Sequence, residues 1–94
     1  MLELALALML YWDAPTQRED GEPFHSNEIE HYEMFYNGEL YDVTNLTEMN
    51  VEGYGDFKVR VIDIDGVASD FSNVVTVSRV KGKAKAPGQL RKQR

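Results

Sequence analysis

Ile29-Glu30-His31-Tyr32-Glu33-Met34-Phe35-Tyr36-Asn37-Gly38-Glu39-Leu40-Tyr41-Asp42-Val43 is the stretch on which the fold turns. Tyr32, Met34 and Tyr36 recur at spacing two, with Glu33 and Phe35 between them. In an extended strand that period puts three large apolar side chains on one face. Asn37-Gly38 follows at once. Both residues accept the positive φ that a type I′ hairpin turn demands. Residues 39–43 are then the returning strand. A helix competes over residues 26–36, because Ser26 with Glu28 and Glu30 looks like a helix start. Aromatic residues at spacing two, running straight into Asn-Gly, favour the strand.

Outward from this hairpin the strand signals continue. Leucine stands at positions 2, 4, 6, 8 and 10, and Trp12 extends the series. We read residues 5–12 as a strand with Leu8, Leu10 and Trp12 on one face. A secretory leader would bring a basic first segment and a small-residue cleavage site; here Glu3 comes third and the run ends in Tyr11-Trp12-Asp13. Synthesis in the cytoplasm is therefore expected. Residues 13–28, with Pro15, Gly21 and Pro23, read as a long loop. Thr47, Met49 and Val51 alternate with Glu48, Asn50 and Glu52, and Phe57, Val59 and Val61 alternate with Lys58 and Arg60. Asp65-Gly66 marks another turn, and residues 73–78 form a last, valine-rich strand. Six or seven short strands separated by turns predict an all-β sandwich or barrel. The predicted core is Leu8, Leu10, Trp12, Tyr32, Met34, Tyr36, Phe57, Val59 and Val61.

The chain of 94 residues is 43% hydrophobic, enough for one small core. It has no cysteine, which excludes disulfides and cysteine–zinc sites. No run of about 18 apolar residues exists to span a membrane as a helix. Charge is split: residues 1–78 hold all 16 acids and three bases, a net of −13, whereas residues 79–94 hold seven bases and no acid. This predicts a globular part over residues 1–78 and a flexible, disordered basic tail over residues 79–94. Lys81, Lys83, Lys85, Arg91, Lys92 and Arg94 are the candidate partner-binding residues of that tail. They suit phosphates, an anionic membrane or an acidic protein face. No aromatic residue is interleaved for base stacking, and the acidic part would repel nucleic acid. A tether or solubilising end is the plainer reading.

Other constellations point to structure. His25 and His31, with Glu28 and Glu30, could in principle hold a divalent metal, but a strand over residues 29–36 turns His31 away from Tyr32 and leaves His25 in a loop. Asp63, Asp65, Gly66 and Asp70 look like part of a calcium loop, yet the fifth position is Val67 and the twelfth-position glutamate is missing; a hairpin turn explains them better. There is no Gly-x-Ser-x-Gly, no cysteine nucleophile and no phosphate-cradling glycine loop. We expect no enzyme and no cofactor. Asn45-Leu46-Thr47 fits a glycosylation acceptor but has no leader beside it. Phe35 and Tyr11, two scattered outward rings, make no sugar-binding platform.

Four stretches, in order, resemble the fibronectin type III family in its divergent bacterial and phage versions. They are Leu10-Tyr11-Trp12-Asp13-Ala14-Pro15, residues 29–36, Phe57-Lys58-Val59-Arg60-Val61-Ile62-Asp63, and residues 63–75. The resemblance implies a small immunoglobulin-like two-sheet sandwich with a truncated first strand. In it Trp12 lies on strand B, Tyr32 and Tyr36 on strand C, Phe57, Val59 and Val61 on strand F, and residues 63–73 form the F–G hairpin. The family's corner tyrosine near the start of strand F is replaced by Gly55. The implied role is a structural or protein-interaction module, associated with a phage or prophage particle. Contact surfaces are expected at residues 17–27, residues 65–72 and the tail. A nucleic-acid accessory acting through residues 79–94 is the alternative. The open N-terminal strand also predicts weak self-association.

Overall fold

The computed structural model describes residues 7–78 and 84–92. Among the described residues six strands form: β1 (Ala7–Tyr11), β2 (Ile29–Tyr36), β3 (Glu39–Thr44), β4 (Glu48–Glu52), β5 (Gly55–Asp63) and β6 (Val75–Val77). They make two antiparallel sheets, β1-β4 and β3-β2-β5-β6. The protein is thus all-β and sandwich-like, with one core shared by the two sheets. The expected strand start at Ala5 and Leu6, and Arg79, Lys81, Lys83 and Arg94 of the tail, lie outside the described residues. Residues 84–92 form no helix or strand and are exposed, Lys85, Arg91 and Lys92 included.

The hairpin forms as its sequence dictates. Asn37 has φ 49° and Gly38 φ 86°, the positive pair of a type I′ turn. The Asn37 carboxamide also accepts the Asp56 amide at 2.9 Å, tying the turn to β5. The helix-start signal is real but short: Ser26–Glu28 makes one 3-10 turn, and the Glu28 carboxylate accepts the His25 amide at 2.8 Å. β2 then takes over at Ile29, because the alternating aromatic face gains more from burial against β5 than a helix could offer.

Phe24, Tyr32, Met34, Met49, Val51, Phe57, Val59, Val61 and Val77 are buried, with Leu10, Trp12, Ile29, Tyr36 and Tyr54 packed against them. Trp12 is half-buried and meets Tyr32 edge-to-face at 5.4 Å. Leu8 departs from the predicted core: it stays 37% exposed. It lies on β1, which has β4 on one side and no further strand on the other among the described residues, so one flank of Leu8 is uncovered. Phe24, Met49, Val51 and Val77 are core residues that the predicted list omitted.

Two corners show how local chemistry shapes the sheets. Between β4 and β5, the Tyr36 hydroxyl donates to the Tyr54 carbonyl. The Tyr36 ring fills the space beside Gly55, where an added Cβ would lie 2.7 Å from Tyr36 Cε1 and 2.6 Å from Asn37 Oδ1. Beside β5, the last strand is shorter than expected. The amides of Val59 and Val61 donate to the Ser72 and Ser69 hydroxyls, at 3.1 and 3.0 Å, where a regular ladder would use carbonyls. The Ser69 and Ser72 amides answer to the Val61 and Val59 carbonyls. Serine can replace the backbone in this way, so residues 67–73 arch along β5 without leaving it.

The Gly55→Ala variant is expected to lose about 1–3 kcal/mol, because Tyr36 and Asn37 must both give way in a packed corner. Gly88→Ala, at an exposed glycine with open space around it, is the control. Thermal melts should separate the two clearly. The Tyr32 hydroxyl is enclosed without a hydrogen-bond partner among the described residues. Tyr32→Phe should therefore hold or raise stability, by up to about 1 kcal/mol, and a clear loss in denaturant titration would contradict this.

Candidate functional site

The candidate site is a bowl of about 410 Å³ at the end of the sandwich, lined by Pro15, Gln17, Arg18 and Phe24 on one side and by Val61, Asp63, Val67 and Ser69 on the other. Its two walls are the loops the sequence singled out, residues 17–27 and 65–72. Neither is loose. The first folds into a small hairpin in which the Phe24 amide donates to the Thr16 carbonyl at 2.9 Å and the Arg18 amide to the Glu22 carbonyl at 2.8 Å. Gly21, at φ 89°, supplies the turn. The second is built on Asp63. Its Oδ1 accepts the amides of Asp65 and Val67, both at 2.9 Å.

Arg18 joins the two walls. Its guanidinium reaches Glu28 at 3.1 Å and Asp63 at 3.2 Å, and lies 4.8 Å over the Phe24 ring. The Ile64 amide donates to the Glu28 carbonyl at 2.9 Å, so the two acids are also linked through the backbone. Arg18 is the one base in residues 13–28 and 63–72, against eight acids. Glu19, Asp20 and Asp70 stand exposed on the rim. The bowl therefore has a rigid, apolar and ion-paired floor beneath an anionic rim.

These contacts depress both carboxyl pKa values. The Val67 amide first, then the Arg18 guanidinium and the Asp65 amide, hold Asp63 below the usual carboxylate range despite its burial. For Glu28 the His25 amide leads, with Arg18 second. The calcium-loop resemblance of residues 63–70 thus resolves into a turn whose main carboxylate is already occupied by two amides and an arginine. The chain matches no protein-family model, no curated protein and no solved structure.

The other candidates are dispersed. Among the described residues no group of three or more histidine and acidic side chains gathers as a metal site. His31 instead approaches Glu33 at 3.4 Å, and Glu33 takes Arg60 at 2.8 Å. Phe35 does face outward, but Phe71 covers it edge-to-face at 5.0 Å, and Arg60 and Lys58 lie over the Phe71 ring. No helix among the described residues is long and apolar enough to cross a membrane. Sequence reasoning placed the two loops but missed the Arg18 clamp. The available signal was Arg18 itself, a lone cation in an acidic segment.

A carboxyl whose folded pKa is depressed stabilises the fold above its unfolded value, near 3.9 for aspartate and 4.3 for glutamate, and the gain is lost as pH falls through the folded value. The melting temperature should therefore fall on acidification below about pH 4. Asp63→Asn with Glu28→Gln should lower it at neutral pH and flatten that fall, in a series of melts across pH.

Proposed function

We propose that this chain is a non-catalytic interaction module of the divergent fibronectin type III kind, acting through the bowl between residues 15–24 and 63–70. The division of strands supports the family reading. With β1, β2, β4, β5 and β6 taken as B, C, E, F and G, strands B and E form one sheet and C, F and G the other, as in immunoglobulin-like sandwiches. Strand A has no counterpart among the described residues. Tyr36, donating to the Tyr54 carbonyl, takes over the corner-locking task that the family gives to a tyrosine near Gly55. Association with a phage or prophage particle rests on family likeness alone.

The bowl carries the functional reading. Loops held on a rigid scaffold are where such modules place recognition. An anionic rim over an apolar floor suits a partner protein that presents lysine or arginine next to an apolar side chain. Like-charged surfaces are repelled, so the rim also selects. Residues 84–92, exposed and basic, favour a second reading, contact with nucleic acid through the tail.

Amide NMR titration with short Lys/Arg-rich peptides at low salt tests the first reading. Shifts are expected at residues 17–20 and 67–70, absent with acidic peptides and lost in Glu19→Lys with Asp20→Lys. No shifts in the bowl with any cationic peptide would overturn it. Binding of duplex DNA with a steep salt slope, abolished by Lys81→Gln, Lys83→Gln and Lys85→Gln together, would favour the second.

A further inference from the structure

Residues 1–78 hold three bases. Arg18 is engaged in the clamp of the bowl. The other two, Lys58 and Arg60, alternate along β5 with the buried Phe57, Val59 and Val61, so both leave the sheet on its outer face. A two-residue step along a strand sets them about 7 Å apart. Two rings hold them there. Phe71 reaches from its arch across β5 to meet Phe35, and its ring has Lys58 Nζ at 4.1 Å and Arg60 Cζ at 5.0 Å. Arg60 Cζ also lies 5.0 Å over the Phe35 ring. Aromatic faces position a cation without neutralising it.

Both cations keep capacity for a partner. Arg60 donates through Nε to Glu33 at 2.8 Å, and its two terminal amino groups meet no carboxylate among the described residues. Lys58 has no ion pair among the described residues, although acids outnumber bases sixteen to three in residues 1–78. Beside the cations the face is apolar. Leu40 of β3 stands opposite Phe35 of β2, and Phe35 opposite Lys58 of β5. The three make a row across adjacent strands, about 10 Å from end to end. Leu40 is exposed, and so is Val43, opposite Glu33 on the same face. All these residues belong to the four-stranded sheet and its arch, on the far side of the core from β1 and β4.

Charge and spacing specify the occupant. Carboxylates at alternate positions of an extended chain repeat at about 7 Å, the separation of Lys58 and Arg60. Leu40 and Val43 offer contact to an apolar side chain beside them. A nucleic acid suits the face less well, because its affinity grows with the number of phosphates neutralised. Here a polyanion would make two such contacts and then run past Asp56, two positions before Lys58 on β5, and Glu33, opposite Arg60.

We infer that the outer face of the four-stranded sheet is a second docking surface, for an acidic protein segment that sets two carboxylates on Lys58 and Arg60 and an apolar side chain on Leu40 and Val43. It is independent of the bowl, whose rim takes the opposite charge. The probe is a short peptide carrying glutamate at two alternate positions and leucine after them, titrated at low salt into the full chain and followed by amide NMR. Shifts are expected at Phe35, Leu40, Val43, Lys58 and Arg60. Lys58→Glu should weaken this binding about tenfold or more, and Leu40→Ser about threefold. Circular dichroism checks that each variant folds, and Lys58→Gln decides the matter should Lys58→Glu not fold. Contacts of the peptide with the bases of residues 79–94 are read at other amides and should not respond to Lys58→Glu. The basic peptides that probe the bowl should leave this face unshifted, so either surface can fail without the other. No shifts on the face with the acidic peptide, or shifts unaltered by Lys58→Glu, overturn the inference. A DNA strand that binds this face more tightly than the peptide overturns the choice of a protein partner.

Discussion

Tyr32 stands opposite Val61, Met34 opposite Val59 and Tyr36 opposite Phe57. These three cross-strand pairs between β2 and β5 are the constraint on which the rest depends. Each joins a large, slender or aromatic side chain to a β-branched or aromatic one on the core face, the kind of pairing that stabilises a sheet. The ladder is out of reach of local propensity: its members are about two dozen residues apart, and the Asn37-Gly38 turn does not connect them. They meet because period-two burial offers each strand one apolar face and a one-residue slip would turn those faces to water. β3 and β6 add to this pair, and β4 and β1 cover it.

The site follows from the same register. Ile29 lies opposite Asp63, so the residue just before β2 and the last residue of β5 arrive side by side. Glu28 and Asp63 are thereby brought together at one end of the sheet, two carboxylates that would repel each other. Arg18 resolves the conflict from a third segment, with Phe24 beneath its guanidinium. A planar fork with several donors suits this task, because it can serve both acids at once where an ammonium would concentrate its charge on one. The bowl is thus a by-product of sheet register that the first loop converts into a fixed shape. Its floor is held by ion pairs and amides, and its rim keeps the acids that have no such partners.

What was legible in the sequence was what is local. The turn at Asn37-Gly38, the alternation of residues 32–36 and 57–61, and the Asp65-Gly66 turn depend on neighbours within a few residues, and they form as read. The Arg18–Asp63 contact spans 45 positions, and no period announces it. Phe24 is the one large apolar residue in the loop between Arg18 and His25, and no strand alternation marks it for burial. Leu8 fails in the opposite direction. Its place in the leucine alternation is sound, but alternation states which face a side chain takes, and burial also requires something to cover that face. Ser69 and Ser72 were a signal of a third kind. At spacing three, opposite Val61 and Val59 at spacing two, they mark where the chain inserts an extra residue while its hydroxyls keep the ladder satisfied.

The two sheets are unequal, and the inequality has a direction. On the outer face of the four-stranded sheet, Glu33, Arg60 and His31 gather around Phe35 and Phe71, while Leu40 and Val43 on β3 stay 55% and 48% exposed. Among the described residues, Met9 and Tyr11 of the two-stranded sheet are 45% and 83% exposed. In a segment that holds 16 acids, β1 is an uncharged strip. Its outward main-chain groups, those of Ala7, Met9 and Tyr11, meet no further strand among the described residues. Water can satisfy those groups.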